Sequence, residues 1–295
     1  MRIVSPYTYP HNWLKGNFHT HTTRSDGKSS PAEVIAAYRD DNYDFLALTD
    51  HHKLSKGDEG GAGDMLLLPG QECHVPGDSK VFEYHIVGLG VKKQIPAIPD
   101  GQGIIDAIRK AGGMAFVAHP RWSWMPYEIF EGLEGYVGME VHNGNCEVTT
   151  ARGHSVDYWD KFMTERKKPL YVVGVDDMHL LSRDFGTSWT CVNAKKNARS
   201  IYDALKRGDA YASSGPRFET IYVNDESITV HTTAAKCVKF VGKYGDVRQV
   251  TEPGTLGEYV KSATYHPTGN EVYIRVEIHA HDGRIAWSNP FMIEP

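Results

Sequence analysis

His19 and His21 stand two residues apart in the stretch Gly16-Asn17-Phe18-His19-Thr20-His21-Thr22-Thr23-Arg24-Ser25-Asp26-Gly27, directly after a short apolar run. Alternate residues of an extended strand share a face, so both imidazoles can converge on one metal ion. Ser25, Asp26 and Gly27 are turn residues that end the strand and let Asp26 swing back toward the same ion. The pair alone is a weak signal in a chain with fifteen histidines, eleven of them before Gly215. Its weight comes from further clusters downstream: Asp50-His51-His52, Glu72, His119, Glu140 with His142, and Asp176-Asp177-Met178-His179. Each sits at or near the end of an apolar run. His85, at the start of one, is the exception.

The elements that must position these groups read as a strand–helix alternation. Ser30-Pro31-Ala32-Glu33 is a capping box with proline at the first helical position, predicting a helix to about Asp41. Short apolar strands are expected over 43–49, 65–69, 84–89, 114–118, 136–141 and 170–175. Helices are expected over 103–111 and 156–166, and from an Asn197 cap to Arg207. A strand over 210–213 closes this part. The alternation predicts parallel pairing, in a sheet or barrel whose functional groups lie at the strand ends. After Gly215-Pro216 the rhythm changes to alternating β patterns and turns, with Asp282-Gly283 as a hairpin signal. The expectation is therefore a first domain over 1–215 and a small, sandwich-like all-β domain over 216–295.

The bulk properties narrow the classes of function. A net charge of -5 offers no basic face for nonspecific nucleic-acid binding. The four cysteines, Cys73, Cys146, Cys191 and Cys237, form no CxxC pair and no disulfide framework. No run of 18 apolar residues exists, which speaks against a membrane-spanning helix. Residues 1–12 lack the basic start and apolar core of a signal peptide. The expected location is cytoplasmic, or secreted with the leader already removed.

Six segments, HTHTTRSDG, LALTDHH, PGQE, HIVGLG, the HP of VAHPR, and DDMH, in that order, resemble the PHP (polymerase and histidinol phosphatase) family over about residues 13–216. The resemblance implies a distorted seven-stranded (β/α) barrel of TIM-like type, two or three divalent metal ions and phosphoester hydrolysis by a metal-bound hydroxide. A first domain of 215 residues is short for an eightfold barrel of roughly 250, which suits seven strands. Carried over by position, the resemblance implies nine ligands. His19, His21, Glu72 and Asp177 would take a first ion, Glu72, His85 and His119 a second, and Asp26, His51 and His179 a third. Asp26, Glu72 and His179 are the residues expected nearest to catalysis, and His52 is an alternative to His51. Imidazole and carboxylate ligands without sulfur suit zinc, manganese or iron.

Around this set, Asp50 is expected to orient a ligand imidazole, with Asp176, Glu140 and Asn143 in supporting positions. Arg121, Arg24 and Arg183 are the candidate phosphate ligands, because a guanidinium pairs bidentately with phosphate oxygens. Trp122 and Trp124 are candidates for stacking on a ring, or for packing over the site. His74, His154, His231, His266, His279 and His281 match no motif of the family, His142 is expected to be structural, and Cys73 has no base partner. The expected function is hydrolysis of a small phosphorylated substrate. The alternatives are amide or lactone hydrolysis at the same metals, or a binding protein acting through the β region, with Tyr244, Tyr259, Tyr265, Tyr273 and Trp287 as platforms. Oligomeric state is not legible.

Overall fold

The structure, a computed structural model, describes residues 1–77, 81–255 and 257–294. Several of its helices begin at a side-chain cap. Helix Pro31–Asp40 starts at Ser30, whose hydroxyl accepts the Glu33 N–H while the Glu33 carboxylate takes the Ser30 N–H at 2.7 Å. Asp100 caps Gly101–Lys110 and Asn197 caps Ala198–Arg207, which ends at Gly208 in the left-handed region. Ile104, Ile105 and Ile108 in the second helix, and Ile201, Ala204 and Leu205 in the third, face the core. No described helix is long and apolar enough to cross a membrane.

Two large sheets carry the site. In the first, Trp13–Asn17 pairs in parallel with Phe45–Leu46, which pairs in parallel with Leu66–Leu67. On its other side Trp13–Asn17 runs antiparallel to Trp189–Asn193, followed by Ala210–Ser213, Ile285–Ser288 and Tyr273–His279. The second sheet orders Gly70–Pro76, Glu83–Leu89, Met114–Val117, Gly138–Asn143 and Tyr171–Val175. The architecture is thus mixed α/β, and its described ladders do not close into a barrel. The sheets touch through single bridges, His51 to Glu72 and Thr20 to Met178.

The expectation of uniformly parallel strands needs correction. Glu83–Leu89 is antiparallel to both of its neighbours. This explains the position of His85: the start of a reversed strand lies beside the ends of the others. Its carbonyl accepts the Ala118 N–H at 3.0 Å, one residue before His119. Gly70–Pro76, expected only as the tail of the preceding strand, is a full strand paired along its length with Glu83–Leu89.

The C-terminal strands pack Phe218–Val223, Ile228–Ala235 and Val260–Tyr265 over a core containing Phe240, Ile274, Val276 and Ile278. The main ladder runs across the expected boundary at residue 215, since Ala210–Ser213 pairs with Ile285–Ser288. Arg2–Val4 pairs with Phe291–Glu294, so the start of the chain belongs to this β region. Helix Val156–Arg166 is bolted to it by a buried ion cluster. Arg275, 2% exposed, donates to both oxygens of Asp160 at 2.8 and 2.7 Å and to Glu277 at 2.5 Å. Tyr273 adds a hydrogen bond to Asp160 at 2.7 Å.

Removing one partner of a buried ion pair strands the other, at a cost of about 3–5 kcal/mol. Asp160→Ala is therefore expected to lower unfolding stability by about that amount in a denaturant titration. Glu277 carries an acid signature as well. Burial would raise its carboxyl, but His279 and Arg275 outweigh burial and hold it down to about 2. A depressed folded pKa gives stability that is present above the unfolded value near 4.5 and lost as pH falls toward 2. Glu277→Gln should flatten the acid limb of the stability curve over that window relative to the parent chain.

Candidate metal centre

Most ligand-type side chains of the site follow a strand end; Glu72 lies on the strand Gly70–Pro76, His85 near the start of Glu83–Leu89, and Asp26 in the loop after Trp13–Asn17. His19 and His21 follow Trp13–Asn17, His119 follows Met114–Val117, and Asp177 and His179 follow Tyr171–Val175. His119 and Asp177 adopt positive φ, +26° and +51°, where residues with a Cβ are strained. The surrounding packing holds both turned inward.

His19 Nε2 lies 3.0 Å from Glu72 Oε2 and 3.2 Å from Asp177 Oδ1. His21 Nε2 lies 3.2 and 3.1 Å from the same two oxygens. All four atoms are buried and make no hydrogen bond. Buried polar atoms are nearly always partnered, so four orphans aimed at one point fit a cation among them. Glu72 Oε1 extends the cluster, 2.7 Å from His85 Nδ1 and 3.8 Å from His119 Nε2. A third group gathers at the lip: Asp26, 53% exposed at its side chain, lies 3.3 Å from His179 Nε2 and 3.7 Å from His51 Nε2. All nine expected ligands thus come together, in sets that could each hold an ion. Seven of them, all but His19 and His21, line a cleft of about 170 Å³ together with Trp122 and Asn145.

The electrostatics follow from the packing. Burial alone would depress His21, but Asp177 and Glu72 outweigh it and lift the ring to about 9. His85 is likewise lifted to about 9, burial being overcome by Glu72 and then Glu83. The reciprocal effect holds Glu72 and Asp177 well below the usual carboxylate range despite burial. At the lip, the hydrogen bond from His179 depresses Asp26.

The supporting residues divide. Glu140 Oε1 sits 2.6 Å from His19 Nδ1, and its other oxygen accepts the His119 N–H and the Asn143 amide, both at 2.9 Å. Asn143 also donates to Asp177 at 3.1 Å. A register shift between Glu140 and His142 allows residues three apart on one strand to face the same site. Asp50 touches no imidazole, contrary to expectation. As the neighbour of His51 it points the other way, accepting from Thr22 N at 2.7 Å and Ser25 Oγ at 2.7 Å, which braces the turn carrying Asp26. Asp176 accepts the Tyr38 hydroxyl and the N–H groups of Gly186, Thr187 and Ser188, and so anchors the following loop.

The three arginines do not line the cleft. Arg121 reaches the His154 carbonyl at 3.4 Å, and Arg24 pairs with Glu59 at 2.6 Å. Arg183 pairs with Asp184 and donates to Asn145 at 3.2 Å, which links it to the rim. Trp122 stands edge-on to His119, ring centres 4.9 Å apart, whereas Trp124 is exposed with Arg152 over its face. His51 faces the cleft. His52 turns away, with its ring against His74. His142, His154, His231, His266, His279 and His281 lie outside the lining. Cys73 is buried, and burial with Glu72 pushes its thiol up to about 12. Of the aromatic platforms, Tyr265, Tyr273 and Trp287 are buried in the core, leaving Tyr244 and Tyr259 exposed. His74, which matches no motif, does join the site, its Nδ1 3.0 Å from His51 Nδ1. The signal available for it was its spacing of two from Glu72, the same alternation that pairs His19 with His21.

No family model matches the chain, and no curated protein matches it in sequence. Among solved structures, a two-domain protein from Bacteroides vulgatus containing a predicted PHP-like metal-dependent phosphoesterase aligns over 100% of this chain and 90% of its own. The TM-score is 0.55 at 18% identity. An amidohydrolase from Chromobacterium violaceum aligns over 57% of this chain and 89% of its own, at 20% identity and TM-score 0.42. A protein from Bifidobacterium adolescentis, provisionally assigned as a metal-dependent phosphoesterase, aligns over 67% and 98%, at 16% identity and TM-score 0.44. The first of these shows that the whole chain shares its fold with a PHP-like protein.

Charged His21 and His85 must lose their protons to bind an ion. Calorimetric titration of the chelator-treated chain with zinc at pH 7.5, in buffers of different ionisation enthalpy, should show proton release that fades above pH 9. The raised pKa values also mean that metal-free stability is full below about 6.5 and falls as pH rises through about 9. Thermal melts across that range, with and without zinc, should show the decline only without it.

Proposed function

We propose that this chain is a metal-dependent hydrolase of the PHP type that cleaves phosphoester bonds in a small phosphorylated substrate. The observation that carries this reading is the convergence of His19 Nε2, His21 Nε2, Glu72 Oε2 and Asp177 Oδ1, buried, unpartnered and within 3.2 Å across each imidazole–carboxylate pair. The PHP-like fold supports it. Two or three divalent ions of zinc, manganese or iron suit the donor set, and such ions would supply an acidic water and positive charge for a phosphoryl oxygen.

The chain's own residues do the rest. Glu72 turns one oxygen to His19 and His21 and the other to His85 and His119, so it would serve both inner positions, while Glu140 and Asn143 hold His19 and Asp177 in place. Asp26 and His179 meet at the open lip, where with His51 they would hold a third ion and its positive charge beside a leaving oxygen. Trp122 walls the inner side and limits water. A cleft of about 170 Å³ accommodates a phosphoryl group and leaves the remainder of the substrate outside. Arg183 and Asn145 stand where that remainder would pass.

Metal analysis of the purified chain beside Glu72→Gln should give two or three equivalents in the parent and a clear loss in the variant. The loaded enzyme should release phosphate from members of a panel of phosphomonoesters and small phosphodiesters. His179→Gln is expected to lose the equivalent held at the lip and to lower kcat with it, the inner equivalents being kept. Turnover of lactones or amides, with no phosphate released from any panel member, would overturn the phosphoester assignment and favour the other hydrolase chemistry.

A further inference from the structure

An imidazole that binds a cation through one nitrogen carries hydrogen on the other, and that N–H needs an acceptor to fix the ring. In five of the six candidate ligand histidines the far nitrogen meets an oxygen. His19 Nδ1 meets Glu140 at 2.6 Å, His119 Nδ1 meets Ser123 at 3.0 Å, and His21 Nδ1 meets Ser25 at 3.4 Å. His179 Nδ1 meets the Asp177 carbonyl at 2.8 Å, and His85 Nε2 meets Glu83 at 3.1 Å. The sixth, His51, turns Nε2 toward Asp26 and meets a nitrogen instead, His74 Nδ1 at 3.0 Å.

We propose that His74 is the positioning residue of the lip: its Nδ1 lone pair accepts the His51 Nδ1–H and so aims His51 Nε2 at Asp26 and His179. This rests on the metal-centre reading above and extends it by a residue that no motif marks. The backbone builds the contact. His74 follows Glu72 by two on the same strand and sits directly opposite His85 in the ladder. Its ring stacks on His85, centres 5.2 Å apart at 23°, and stands perpendicular to His51 at 4.5 Å. His74 is thereby wedged between a ligand of the second position and one of the third. The His51 Nδ1 atom also lies 3.0 Å from Glu72 Oε2, but that oxygen makes no hydrogen bond, so His74 is the aligned partner.

The test measures zinc stoichiometry and stepwise affinity on the full chain for the parent, His74→Ala and His74→Asn. Melting of the metal-free forms controls for folding. Loss of a partner that orients a ligand typically weakens an ion by 10–100-fold. His74→Ala should therefore weaken the most weakly held zinc by about that factor and leave the tighter ones unchanged. His74→Asn, whose side-chain oxygen can take the place of Nδ1, should recover most of that affinity. Full binding in His74→Ala overturns the proposal. So does a folded His74→Asn that recovers nothing, because packing alone would then explain the effect. A parent chain that takes up no zinc overturns the metal-centre reading itself, and is told apart from the other failures by the parent measurement alone.

Discussion

The buried carboxylate of Glu72 is the constraint around which the molecule is arranged. A carboxylate with no solvent exposure is costly unless it is surrounded by positive charge or donors. Here His19, His21, His51 and His85 approach it at 2.7–3.2 Å, with His119 at 3.8 Å. These five rings come from four separate segments and both large sheets. Satisfying one acid therefore requires the sheets to meet, and the bridge between His51 and Glu72 is one of the places where they do. The positive φ values at His119 and Asp177 are local strain that the same convergence sustains.

The support for this arrangement reaches well beyond the cleft. Strand Gly138–Asn143 uses its register shift to present Glu140 and Asn143 to the ligands, while His142 turns away and stacks on Trp287, ring centres 5.4 Å apart. Trp287 belongs to Ile285–Ser288, a strand of the C-terminal β region. One strand thus links second-sphere hydrogen bonds to the packing of that region. With the Asp160–Arg275 pair on the neighbouring helix, the β region acts as a brace for the metal-facing strands.

Much of the site was legible because its signals are local. The His19–His21 alternation, the acid and histidine clusters at strand ends and the helix caps all depend on residues within a few positions of one another. What stayed hidden depends on direction in space. Strand polarity left no trace in the apolar run before Leu89, so His85 looked misplaced until its strand proved to be reversed. Asp50 follows the period of two: adjacency to His51 puts it on the opposite side, where it serves the turn at Thr22–Ser25. Arg121 stands two residues after His119, but the left-handed turn at His119 carries it toward His154. The barrel implied by the family resemblance is not closed by the described ladders, which form two sheets joined by single bridges. Trp189–Asn193, with its intervening loop, carried too weak an alternation to announce the strand that sits beside Trp13–Asn17.

That last pairing bears on the order of events in folding. Trp13–Asn17 delivers His19 and His21, and its local parallel partner, Phe45–Leu46, is only two residues long. Its long ladder is with Trp189–Asn193, across most of the chain, and that strand is in turn held by Ala210–Ser213 and Ile285–Ser288. Contacts of such wide sequence separation form late and slowly, because loop closure must precede their reward. On a ribosome, the two histidines that open the motif emerge long before the closing strands that complete their scaffold. The nascent chain therefore carries loose imidazoles and carboxylates until those strands are made, and the ordered cluster around Glu72 is a property of the finished sheet.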